Sequence, residues 1–190
     1  MESAVIINKD GFQIKKQSKN QYSVSFSLEN TKIRIPEIIN FDFIKIIYEL
    51  SPDLFETTSL EKINDNEAIL VLLVKPLFED LGVSQKYLKL HMTCTRNKSS
   101  IVFVSRTLQN NHPIINHQTP FDIPEDAELV NVVNITNEFV IHSPHKIDVF
   151  NTILLDDDIV IPSFVDKIVG SLLSKLFIRV KQFIDFAVVR

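Results

Sequence analysis

Glycine is scarce in this sequence. The 190 residues hold 3, Gly11, Gly82 and Gly170, and they stand far apart. A phosphate-cradling P-loop and a dinucleotide fingerprint both need clustered glycines, so both are excluded. Cysteine occurs once, as Cys94. An internal disulfide is therefore impossible, and a reducing compartment fits. Neither sign of charge dominates: 20 Lys and Arg against 24 Asp and Glu leave a net charge of −4. The lysines are scattered, which argues against a nucleic-acid partner. Long apolar runs are also missing. Ala68–Val74 is among the longest and is far too short to span a bilayer. Residues 1–10 show no basic segment leading into an apolar core and no Arg-rich amphipathic stretch. With no presequence visible, an intracellular protein is expected, cytoplasmic or organelle-associated, with at most peripheral membrane contact.

What is present points to a folded domain. Hydrophobic residues make up 45% of the chain and 14 residues are Phe. A domain this long buries about 70% of its unfolded surface and needs no metal or disulfide staple. One domain over residues 1–190 is expected. Tyr22, Val24, Phe26 and Leu28 alternate with Ser23, Ser25, Ser27 and Glu29, which predicts a strand with one apolar and one wet face. Phe12 and Ile14 supply the preceding strand of a hairpin. Residues 36–50 change period: Ile39, Phe43, Ile46, Ile47 and Leu50 form a helical stripe between Pro36 and Pro52. Alternation then returns over 57–63, 67–76, 87–95, 101–108, 128–143 and 146–155, giving about seven or eight strands. Residues 109–128, with Pro113, Pro120 and Pro124, read as a long loop.

The last segment carries the clearest pattern. Over residues 162–186 the apolar positions include Phe164, Ile168, Leu172, Leu176, Val180 and Ile184, with polar residues opposite. This is helical period with a wide apolar stripe. Asp156, Asp157 and Asp158 precede it and suit the positive end of its dipole. A helix of this length spans roughly 36 Å. Its stripe requires a large apolar surface, and the sheet is the candidate. Short connections favour antiparallel neighbours.

Four places carry a family resemblance. Asp10-Gly11-Phe12 with Gln13–Leu28 resembles an early START hairpin. Ile44–Phe55 with Thr57–Val74 resembles the short helix, corner and two strands that follow it. Tyr87–Leu108, with Ser105-Arg106-Thr107, resembles the central hairpin. Asp158–Pro162 before the last helix is similar to the strand-Pro-helix step of the same family. The sequence thus resembles the START-like (helix-grip) superfamily of lipid and hydrophobic-ligand domains, from about residue 10 to 186. The usual corner Trp is replaced by Leu54-Phe55, and the Arg-Asp that opens the central hairpin reads Gln85-Lys86. The resemblance implies an α+β helix-grip fold, a curved antiparallel sheet around the C-terminal helix. It also implies a cavity for a lipid or other hydrophobic ligand. Phe164, Ile168, Leu172 and Leu176 would line it from the helix, Leu90, Met92 and Phe103 from the sheet, with Arg106 as polar anchor and residues 109–128 as gate.

The same residues would equally fill a solid core, in a structural subunit docking on protein partners through Phe183, Ile184, Phe186, Val188 and Val189. Other chemistry is poorly supported. His142 and His145 flank Ser143-Pro144, His112 and His117 sit in the long loop, and neither pair has metal-ligand spacing on one helix face. Cys94 shares a strand face with Leu90 and Met92, while His91 points the other way, so no thiol–base pair forms. The Asp triplet suits the helix dipole, and Lys15, Lys16 and Lys19 suit a solvated turn. Arg106, beside Val102 and Val104, would need a carboxylate such as Glu128 or Asp53, or a ligand head group. No catalytic residue, metal or cofactor is nominated.

Overall fold

A computed structural model describes residues 4–9, 11–76, 82–108, 121–159 and 163–188, with side chains described from residue 168 onward in the final helix. The elements in chain order are β1 (Ala4–Lys9), β2 (Phe12–Ser18), β3 (Gln21–Glu29), α1 (Ile35–Ile38), α2 (Phe41–Glu49), β4 (Phe55–Asn64), β5 (Glu67–Val74), β6 (Lys86–Arg96), β7 (Ser100–Thr107), β8 (Glu128–Leu129), β9 (Val132–Ser143), β10 (Lys146–Leu155) and α3 (Ser163–Phe186). Nine strands run in the order β1-β2-β3-β10-β9-β7-β6-β5-β4, and β8 pairs with β6, for 10 strands in one sheet.

The count exceeds the seven or eight that alternation predicts. The additions are β1, which has no alternating burial, and the two-residue β8, too short to show a period. The helical stretch at 36–50 is also two helices. Asn40 breaks it: its side chain accepts a hydrogen bond of 3.0 Å from the Phe43 N–H and so caps α2.

Among the described residues every ladder along the sheet is antiparallel, and only β8 pairs in parallel. On β3 the predicted apolar face is buried from Tyr22 to Leu28, and the serine face is half-buried to exposed. On β5 both faces are covered, which explains its unbroken apolar run. Ala68, Leu70 and Leu72 join the main core, while Ile69 and Val71 pack with Leu108, Phe121 and Ile123 on the other side. Thus the described end of the long loop, residues 121–127, contributes to the outer face of the sheet. Residues 109–120 lie outside the described residues.

Among the described residues, eight of the phenylalanines build two ring systems. Phe103 lies between Phe41 and Phe139, with ring centres 5.5 and 6.0 Å away. Phe139 continues to Phe43 and then to Phe183 of α3, at 6.3 and 6.4 Å. Phe177 of α3 meets Phe26 at 5.4 Å and Phe12 at 6.3 Å. Edge and tilted pairs like these add about 0.5–1.5 kcal/mol each beyond their buried area.

Two asparagines flanking β3 hold the segments at both ends of α3. Asn20 donates from Nδ2 to the carbonyls of Asp156 and Ile159, at 2.5 and 2.9 Å. Asn30 donates to the carbonyls of Ile184 and Ala187, at 2.5 and 2.9 Å, which satisfies acceptors left over at the helix end. The tail beyond is mixed: Ile184 is fully buried, whereas Phe186 is 81% exposed. Among the described residues, no helix is long and apolar enough to cross a membrane.

Gly170 lies where α3 meets β1. A Cβ there would stand 2.6 Å from Ile6 Cγ2, so the glycine supplies clearance. Gly170→Leu is expected to lower stability by about 1–3 kcal/mol through overpacking. Denaturant melting measures the loss. Hydrogen exchange should show it concentrated in β1.

Candidate functional site

An apolar cavity of about 180 Å³ lies between the sheet and the helices. The second helix supplies Ile44, Ile47 and Tyr48, and α3 supplies Leu173, Leu176 and Phe177. Phe55, Leu72 and Leu88 reach it from β4, β5 and β6. The remaining wall is β9 and β10, with Val132, Ile135 and Asn137 beside Asn151, Ile153 and Leu155. A flat sheet would separate β4 from β10 by roughly 24 Å, five strand spacings. Both line one cavity only because the sheet curls around it.

Two polar groups stand out in this wall. Asn137 and Asn151 are direct cross-strand partners. Asn151 donates from Nδ2 to Asn137 Oδ1 at 2.6 Å, with both residues buried. Tyr48 is half-buried, stacks edge-on against Phe55 at 5.3 Å, and borders the cavity. Loss of hydration pushes its phenol up from 10.0 to about 12. Between those values the folded protein holds a proton that the unfolded chain has lost. Stability is therefore full below pH 10 and is expected to decline as pH rises toward 12. A phenolate absorbance titration tests this: the step near pH 12 should be missing in Tyr48→Phe.

Solved structures share this fold. Human StAR-related lipid transfer protein 5 superposes with a TM-score of 0.67, over 96% of this chain and 86% of that one, at 9% identity. The lipid transfer and protein localization domain of human StarD13 gives 0.68, over 98% and 90%, at 10% identity. A STAR-related lipid transfer protein from Xanthomonas axonopodis gives 0.68, over 96% and 98%, also at 10% identity. This chain has the START-like helix-grip fold. No protein-family model and no curated protein matches the sequence.

Within the START-like frame, the residues expected to form the site separate. Leu176 lines the cavity. Leu172 is half-buried against the main core, Ile168 is half-buried, and Phe164 lies outside the described side chains. Leu90, Met92 and Phe103 are buried at 0–1% exposure but pack within the solid core and do not border the cavity. The rings of Phe41 and Phe139 take up the surroundings of Phe103.

Arg106 is a correction. It is exposed on the outer face of β7, whereas Ile101, Phe103 and Ser105 point inward. It therefore cannot anchor a ligand in this cavity. The carboxylates proposed for it have other partners: Glu128 pairs with Lys86, and Asp53 with Arg179 of α3. The Arg179 guanidinium lowers the Asp53 pKa, and Lys86 lowers that of Glu128.

The remaining candidates hold structural contacts. His142 Nε2 meets Asp148 at 2.7 Å, and Ser27 Oγ donates to the same carboxylate at 2.6 Å. The serine thus faces the acid and not the imidazole, which is the wrong order for nucleophile activation. Those bonds lower the Asp148 pKa, Ser27 first. His145 Nδ1 lies 2.7 Å from the Ile33 carbonyl. Cys94 packs half-buried on the core, and burial pushes its thiol pKa up, away from reactivity. His112 and His117 lie outside the described residues.

Proposed function

We propose that this protein binds a hydrophobic molecule, a lipid or a smaller apolar compound, in the cavity between the sheet and α3, without transforming it. The observation that carries this reading is the cavity itself. It is walled by aliphatic and aromatic side chains from α2, α3 and five strands, with a few placed polar groups, as ligand sites are. The START-like fold supports the reading, because its structural neighbours are named for lipid transfer. The described lining residues include no carboxylate, histidine, cysteine, lysine or arginine, and burial holds the Tyr48 phenol protonated. Enclosure is the mechanism: each apolar Å² withdrawn from water contributes about 25 cal/mol.

Native mass spectrometry of the purified protein, followed by extraction, tests this. A stoichiometric apolar small molecule is expected. A polypeptide that stays bare after incubation with mixed lipids and small apolar compounds would refute the reading.

A further inference from the structure

The polar pair in the cavity wall specifies more than hydrophobicity. Asn137 and Asn151 occupy inward positions of β9 and β10, at 8% and 3% exposure. The neighbouring inward residues on the same strands are Ile135, Phe139, Val149 and Ile153. Two amides at such positions forgo hydration and must recover it through hydrogen bonds. Their mutual bond at 2.6 Å satisfies one donor and one acceptor. Asn151 Oδ1 remains buried, without a hydrogen-bond partner among the described residues. Whichever amide donates to the other, one carbonyl oxygen is left over. Both asparagines line a space bounded otherwise by hydrocarbon, aromatic rings and the Tyr48 phenol.

An acceptor of this kind calls for a ligand with an O–H or N–H donor. Among the described lining residues no cationic side chain is present to balance an ionised carboxylate or phosphate. A pure hydrocarbon would leave the acceptor unsatisfied. Size adds a limit. A dry cavity of about 150 Å³ holds benzene, so 180 Å³ suits a rigid frame of roughly six to ten non-hydrogen atoms.

We propose that Asn137 and Asn151 form the polar anchor of the cavity, and that its ligand is a compact, uncharged alcohol or phenol on an otherwise apolar frame. This rests on the binding reading above and narrows it.

Three probes of matched shape test the inference by titration calorimetry at neutral pH: 2-phenylethanol, ethylbenzene and phenylacetate. The alcohol is expected to bind about tenfold or more tighter than the hydrocarbon, and the carboxylate not at all. In Asn137→Leu/Asn151→Leu, which removes both amides together, the preference should vanish while ethylbenzene still binds. Asn151→Leu alone strips the donor from Asn137 Oδ1 and leaves that oxygen as the acceptor, so the preference should persist there, and circular dichroism confirms that each variant is folded. Equal affinity for alcohol and hydrocarbon in the wild type would overturn the anchor and leave the binding reading intact. So would tight binding of phenylacetate. Failure of all three probes beside stoichiometric capture of a long-chain lipid would overturn the compact-ligand assignment alone. Failure of the probes and of every lipid would remove both readings.

Discussion

Phe103→Ala is expected to cost about 3–5 kcal/mol, the usual range for deleting a fully buried aromatic ring. Phe103 is 0% exposed and sits between Phe41 and Phe139, so the truncation breaks two edge contacts and leaves a void. The neighbours cannot close that void easily. Phe139 is also held by Phe43, and Phe43 by Phe183, so the rings tie α2, β7, β9 and α3 together. For a chain of this size the loss corresponds to a fall in Tm of about 10 °C. Scanning calorimetry measures it. A change of only a few degrees would mean that the ring chain is loosely packed. Ligand affinity should follow stability and not fall selectively, because Phe103 does not border the cavity.

Leu173→Trp tests the opposite case, a change that spares the fold and removes the space. Leu173 lines the cavity from α3 and is half-buried. In a solid core a larger side chain forces strain and costs about 1–3 kcal/mol. In a cavity of 180 Å³ the indole has somewhere to go. The variant should therefore melt no lower than wild type while affinity for an apolar ligand falls about a hundredfold or more. A lower Tm with unchanged affinity would place the binding site elsewhere. Together the two substitutions separate packing from enclosure: one removes stability with little selectivity, the other removes binding with little loss of stability.

The sequence made most of the architecture readable because the physics there is local. The alternation on β3 and the stripe on α3 follow directly from side-chain periodicity. Periodicity does not say which of two faces is inside when both are apolar. That is why Arg106 is misplaced: Val102 and Val104 on its face are as hydrophobic as Ile101 on the other, so both faces were read as lining although parity sets Phe103 and Arg106 on opposite sides. The cavity walls were illegible for a different reason. They gather from α2, α3 and five strands, and which positions meet depends on how the sheet curls. One signal was available. In Ile135, Asn137, Phe139 and in Val149, Asn151, Ile153 an amide interrupts the inward positions of two successive strands. A polar residue at a core parity is a local contradiction, and such contradictions gather at functional sites.

The bonds from Asn30 to α3 also bear on how the chain is made. They join residues 154 and 157 positions apart, and β3 pairs with β10 across most of the same gap. On a ribosome adding 5–20 residues per second, β3 emerges roughly 8–30 s before the helix that Asn30 holds. During that interval the apolar side of the early hairpin has neither its neighbouring strand nor its covering helix. Nascent chains of this protein should therefore depend on chaperone shelter until translation of α3 is complete, and fold late rather than progressively.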